Sequence, residues 1–192
     1  FYATENKYEY PVIDTNNIIR EMTREEKILN LGMEELLEDG EYLENDKLIV
    51  IEYDEKLGYL KRTWNKETHI WYEGATEEEI TKHMGELATK LLYEVLAQGC
   101  EVTIQGEKHQ QSLSDEKRKA LKELGSPISH VAWPFRDDGT DTVVMTADEF
   151  KQLALTCLDF GDKCYIAAEL LKANKKINAK IEDFYKELSN VN

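Results

Sequence analysis

The sequence predicts an α+β protein, and three observations carry that prediction. Short apolar–polar alternations bounded by turn residues fill residues 40–73 and 100–145, which is the two-residue period of strands. Residues 77–98 and the stretch from 146 onward repeat apolar side chains every three or four positions, which is the period of helices. The S/T-x-x-E helix-start signature occurs at Thr23, Thr76 and Thr146. The expected organisation is a small β-rich N-terminal module (1–75), a connecting amphipathic helix (76–99), a second small β-hairpin/helix module (100–145), and a long C-terminal helical region (146–192).

In chain order, Tyr2, Tyr8, Tyr10 and Val12 alternate with polar residues over 1–15 and suit a short strand. Pro11 confines that strand to an edge. Thr23-Arg-Glu-Glu opens a short helix through Ile28, Leu29 and Leu31, which Gly32 breaks. Met33 to Leu37 reads as a further turn ending at Gly40. Tyr42-Leu43 and Leu48 to Ile51 form a hairpin around Asn45-Asp46. A second hairpin joins 57–64 to 68–72 at Asn65-Lys66, with Trp64, Ile70 and Tyr72 expected to stack across it.

Ile80, Met84, Leu87, Ala88, Leu91, Leu92, Val95 and Leu96 make 77–98 the cleanest helix, with Gly99 as its left-handed stop. Cys100 to Gln105 reads as a strand, Gly106 as a turn, and a second strand extends toward Leu113. Ser114 caps a helix to about Leu124, ended by Gly125-Ser126-Pro127. Two more strands, 130–135 and 142–145, flank the turn residues Asp137-Asp138-Gly139.

The last element begins at Thr146. Phe150, Leu153, Cys157, Phe160, Cys164, Ala167 and Leu171 follow a 3-4-3-4 spacing, and the same frame continues through Asn174, Asn178, Ile181, Tyr185 and Leu188. That is the a/d pattern of a coiled coil. Two outcomes stay open. Either the helix runs on as an oligomeric coiled coil with two seam asparagines, or a core helix ends near Lys172 and a shorter one follows. The expected partner-contact residues are Phe150, Leu153, Cys157, Phe160, Cys164, Leu171, Ile181, Tyr185 and Leu188, and homo-oligomerisation is expected through this helix.

The 192 residues are 41% hydrophobic, enough for a core, and 33% charged, above the usual quarter. The net charge of −15 is concentrated at the front: residues 1–60 hold six basic against sixteen acidic residues, a net −10. Such a surface repels phosphate and anionic lipid, so neither nucleic acid nor membrane is an expected partner. It would favour a basic protein partner, but a solvated acidic face that aids solubility is the preferred reading. No apolar run reaches the roughly 18 residues of a membrane span. Residues 1–20 lack the apolar region of a secretory leader, and a start at Phe1 in place of Met reads as a trimmed or processed start. Cys100, Cys157 and Cys164 form no disulfide framework. Cys157 and Cys164 are two helical turns apart, about 10 Å of rise, too far to bridge within a straight helix. They read as small buried apolar residues, and a reducing, cytoplasmic site of synthesis fits.

No reacting centre is legible, and no enzyme is expected. His69, His83, His109 and His130 lack zinc spacing and read as scattered surface or edge residues. Nucleophile elbows and phosphate-cradling glycine loops are absent. Asp137-Asp-Gly-Thr-Asp141 lacks the spacing of a calcium loop and reads as a hairpin turn. Trp64, Trp71, Tyr72 and Trp133 are weighed as a sugar platform against ordinary packing, and packing is preferred. No cofactor or metal is expected.

Cys100-Glu-Val-Thr-Ile, Val131-Ala-Trp133, Asp138-Gly139, Val143-Val-Met-Thr-Ala-Asp-Glu-Phe150 and Leu170-Leu-Lys-Ala occur in the order of a domain found in phage tail-fibre and tail-fibre-assembly proteins. Residues 100–176 resemble that domain. Phe1-Tyr-Ala-Thr, the Thr23 helix, and Leu43-Glu-Asn-Asp-Lys-Leu-Ile-Val before a Trp-rich hairpin are similar to short accessory proteins encoded beside tail fibres. The resemblance implies a structural component of the virion tail, attached at the fibre or baseplate and binding tail-fibre or baseplate proteins. It supplies no catalytic residue. The alternatives are a tail-fibre assembly chaperone and, from the acidic front half alone, a DNA-mimic inhibitor of a host nuclease.

Overall fold

The computed structural model describes residues 7–124 and 129–191. The expected strand contribution of Tyr2 and the Gly125-Ser126-Pro127 helix stop lie outside the described residues. The fold is α+β: the described residues form five α-helices, and ten strands paired as five separate two-stranded antiparallel sheets. The chain divides into two compact units, Phe1–Ala75 and Thr76–Asn192.

In the first unit, β1 (Pro11–Ile13) pairs with β2 (Ile19–Glu21), a strand the alternation did not reveal. α1 (Arg24–Leu31) has the full capping box: Glu26 N–H donates to Thr23 Oγ1 at 3.2 Å, and Thr23 N–H to Glu26 Oε2 at 2.8 Å. A 3-10 turn, Glu34–Leu36, follows. The hairpin β3 (Glu41–Glu44) and β4 (Lys47–Val50) sits as expected around Asn45 and Asp46, both at positive φ. The second hairpin is shorter than its apolar run. β5 is Arg62–Asn65 and β6 is Ile70–Glu73, because Asp54 caps a 3-10 turn at Glu55–Leu57 that takes the chain out of extended geometry. Trp64 opposes Trp71, so Ile70 and Tyr72 point to the other face and do not stack on Trp64. Directly opposed residues share a face of the sheet, and a one-residue offset changes it.

The second unit holds most of the core. α2 (Glu77–Gln98) carries the reciprocal Thr76/Glu79 box and buries Met84, Ala88, Leu91, Leu92, Val95 and Leu96. It is a core helix of this unit and not a free-standing connector. Gly99 ends it at φ 72, ψ −153, which is not the expected left-handed helical conformation. The chain reverses directly into β7 (Cys100–Ile104), and a Cβ on Gly99 would lie 1.7 Å from the Gln111 carbonyl oxygen. Only glycine fits that backbone.

β8 (Glu107–Gln111) pairs with β7, and α3 (Asp115–Glu123) starts at Ser114. β9 (His130–Pro134) and β10 (Thr142–Thr146) form the last hairpin. The two hairpins are joined by polar side chains. Trp133 Nε1–H donates to Gln111 Oε1 at 2.8 Å, and His109 stacks on Phe135 with its Nδ1 2.8 Å from Asp141 Oδ1. His109 is buried, contrary to the surface placement expected of it.

α4 (Ala147–Asn174) starts at Thr146 and stops where the pattern turned polar. Lys175 adopts left-handed φ 50. After a loop, α5 (Ile181–Ser189) packs back against α4 and α2. Several contacts hold the reversal. Lys175 pairs with Glu77, Lys176 Nζ reaches Asp183 Oδ1 at 2.6 Å, and His83 Nε2 donates to the Ile177 carbonyl at 2.8 Å. Ala179 is buried in the loop. The continuous coiled coil is therefore replaced by the other outcome, a core helix followed by a shorter one.

Five of the nine expected contact residues are corrected with it. Phe150, Leu153, Cys157, Cys164 and Leu171 are buried in this unit's own core, and Phe160, Ile181 and Leu188 are half-buried against it. Tyr185 is at the surface, its hydroxyl donating to Gln98 Oε1 at 2.8 Å. The fully buried residue of α5 is Phe184, one position off the extrapolated frame, because the loop breaks the register. The stripe has the right period and faces its own chain.

Candidate protein-contact surface

The first unit has an unusual balance of surface and core. Among its described residues only Ile28 and Trp64 are buried large apolar side chains. Val50 and Ile70 are 58% and 55% exposed, and Ile13, Ile18, Ile19, Leu31, Leu57 and Tyr72 are exposed as well. Isolated two-stranded hairpins have only marginal stability. Of these, Val50 is gathered with Ile51, Tyr53 and Trp71 along one groove, and contiguous exposed apolar area marks interaction surface.

Two open grooves flank the hairpins. The larger, about 550 Å³, has an aromatic and aliphatic floor of Trp71, Tyr53, Val50 and Ile51, and an acidic rim of Glu38, Asp39 and Glu52. Local geometry builds it. Trp71 Nε1–H donates to the Ile51 carbonyl at 2.8 Å, which pins the indole beside β4. Tyr53 meets Trp71 edge-on, with centroids 5.6 Å apart at 74°. Arg62, which also lines the groove, lies 5.5 Å from the Tyr53 ring centre in a cation–π contact. Gly40, at φ 93, lets the chain pass: a Cβ there would meet the Ile51 oxygen at 2.7 Å and Trp71 at 3.1 Å.

The second groove, about 450 Å³, lies where Tyr42 stacks on His69 with centroids 3.8 Å apart, beside Glu34, Glu35 and Lys66. The carboxylates nearest the frame are engaged. Arg24 grips Glu41 with two bonds of 2.6 and 2.7 Å and, with backbone support from Glu38, holds its carboxyl down to about 2. Arg20 grips Glu26 likewise, also holding it to about 2. These pairs fix α1 against β2 and β3, and the rim carboxylate of Glu38 lies 3.9 Å from the same Arg24.

The second unit offers a different surface. With the α4 seam turned inward, the outer face presents Leu155 (55% exposed), Ile166 (50%) and Leu170. Asp159, Asp162 and Glu169 lie among them on the same face.

The other sequence candidates are dispersed. Trp64 and Trp133 are interior to different units, and Tyr72 faces away from Trp71, so the four aromatics form no platform. In the Asp137–Asp141 turn, Asp138 accepts from Thr140 N–H and Oγ1–H, Asp137 pairs with Lys117, and Asp141 holds His109. Among the described residues no group of three His, Cys, Asp or Glu side chains is placed to hold a metal ion, and no helix is long and apolar enough to cross a membrane. No family model, no curated protein and no solved structure matches the chain.

Proposed function

We propose that the chain is a contact protein of a phage or phage-like tail, attached at the fibre or baseplate, that docks a basic polypeptide surface through its acidic first unit. The supporting observation is the pairing of an almost coreless β module with exposed apolar side chains and an acidic-rimmed aromatic groove. Apolar surface gives about 25 cal/mol per Å² when covered, and the −10 over residues 1–60 selects a cationic partner and speeds encounter at low salt. The tail setting rests on the resemblance of residues 100–176.

The test mixes the full chain with the neighbouring fibre or baseplate protein and reads hydrogen exchange and sedimentation. Protection over residues 48–53 and 70–72, weakening as salt rises, is the expected result. Protection confined to the second unit, or binding indifferent to salt, would refute the docking face. Mass spectrometry of purified particles then separates a resident tail component from an assembly chaperone that leaves.

A further inference from the structure

The second unit contains a chemical feature that the contact role does not use. Cys100 lies on β7 immediately after the Gly99 reversal, and Cys157 lies near the middle of α4. They are 57 positions apart in sequence, yet their sulfurs are 3.8 Å apart, in direct contact. Cys164 shares the α4 face two turns further on, and all three thiols are free.

We propose that Cys100 and Cys157 form a redox-modification site, a thiol pair held in contact that closes to a disulfide under a peroxide-class oxidant. The bond needs sulfurs about 2.05 Å apart, so the pair must close by under 2 Å. β7 and α4 already bring the two side chains together, and no refolding is needed to find the partner. Access is asymmetric. Cys100 is 9% exposed, whereas Cys157 and Cys164 are fully buried. Cys100 is therefore the less enclosed residue of a buried pair, which assigns it the first oxidation, and Cys157 is the neighbour placed to resolve it.

The ionisation of the pair runs the same way. Contact with the Cys157 thiol holds the Cys100 thiol below its ordinary range. The Cys100 sulfur and burial push Cys157 well up. Burial pushes Cys164 up to about 12 and keeps it inert.

The chemistry balances with one peroxide. The Cys100 thiolate attacks a peroxide oxygen, the O–O bond breaks, and the departing hydroxide takes the thiol proton and leaves as water. This forms the Cys100 sulfenic acid. The Cys157 sulfur then attacks the Cys100 sulfur, the S–O bond breaks, and hydroxide leaves with the Cys157 proton as a second water. Two thiols are oxidised by two electrons and one peroxide is reduced to two waters. The product ties β7 to α4 and encloses α3 and the β8–β10 segment in a covalent loop.

The experiment treats the folded full chain with hydrogen peroxide at near-stoichiometric amounts. The chain is then denatured without reductant, alkylated, and read by intact mass and peptide mapping. The expected result is loss of two hydrogens, a fall in alkylatable thiols from three to one, at Cys164, and a Cys100–Cys157 peptide that a reductant releases. Cys164→Ser retains the reaction. Cys157→Ala stops at a Cys100 sulfenic acid trapped by a dimedone-type reagent. Three thiols surviving oxidation, oxygen adducts without hydrogen loss, or a disulfide between two copies would overturn the proposal. The mapping on the unmodified chain stands even if a variant fails to fold.

Discussion

Replacing Gln111 with leucine isolates what one buried polar contact contributes. Gln111 is 0% exposed. Its Oε1 accepts from Trp133 Nε1–H at 2.8 Å, and its Nε2–H donates to the Ser112 carbonyl at 2.8 Å. Leucine is close in size, so little cavity forms, and it carries neither group. The indole N–H is then buried without an acceptor, which costs about 1–3 kcal/mol. The Ser112 carbonyl also loses a donor, while the apolar replacement recovers part of the loss. The expected net is about 2 kcal/mol, or roughly 6–8 °C of melting temperature for a unit of this size. Calorimetry on Gln111→Leu, Trp133→Phe and the double variant measures it. Because Gln111 loses its donor when the indole is removed, the double variant should be less destabilised than the two singles added, with a coupling of about 1–1.5 kcal/mol. Additive effects, or a loss under about 0.5 kcal/mol for Gln111→Leu, would refute the argument that this contact joins the two hairpins.

Gly99→Ala should cost about 3 kcal/mol or more, read as loss of soluble folded protein or a collapsed denaturation midpoint, because its Cβ would enter the Gln111 backbone and only glycine holds that φ/ψ. Gly85→Ala should act in the opposite direction: it is inside α2 with nothing within 4 Å of the new Cβ, so urea unfolding should show about 0.5–1 kcal/mol of added stability. The first unit should lose stability in acid. Glu41 is held at about 2 in the folded state against 4.5 ordinarily, chiefly by its bonds from Arg24. Between those values the unfolded chain binds more protons, so this contribution is full above about pH 4.5 and fades as pH falls toward 2. Trp64/Trp71 fluorescence against pH should show that slope, and Glu41→Gln should flatten it.

Much of this was legible locally. The boxes at Thr23, Thr76 and Thr146 each started a helix where expected, because four consecutive residues contain both halves of the capping exchange. The hairpin around Asn45-Asp46 was likewise visible in its turn residues. Other features were hidden. β2 carries little alternation of its own and forms by pairing with β1. The opposition of Trp64 to Trp71 depends on a register that one residue inverts. His109 and Gln111 escaped because polar side chains on a strand suggest solvent, and their inward position shows only once Asp141 and Trp133 arrive from the next hairpin. The groove at Trp71 and Tyr53 leaves little trace in the sequence: Trp71 reads as packing, Tyr53 lies outside the strands, and the nearby acidic residues read as a general charge.

The amino-acid order by itself set the α+β class, the starts of three helices, the 3-4 stripe along α4 and the acidic bias of the front half, since each rests on chemistry within a few neighbouring residues or on composition. Tertiary structure alone decided which surface the α4 stripe would meet. A 3-4 apolar period is the same whether a helix packs on another copy or on its own chain. Lys175 turning left-handed, Ala179 seating in the loop and Phe184 closing over the core settled that it packs on its own chain, through contacts between segments far apart in sequence. The same long-range folding brought Cys100 against Cys157, because contact between remote residues depends on the path of the backbone and leaves no local trace.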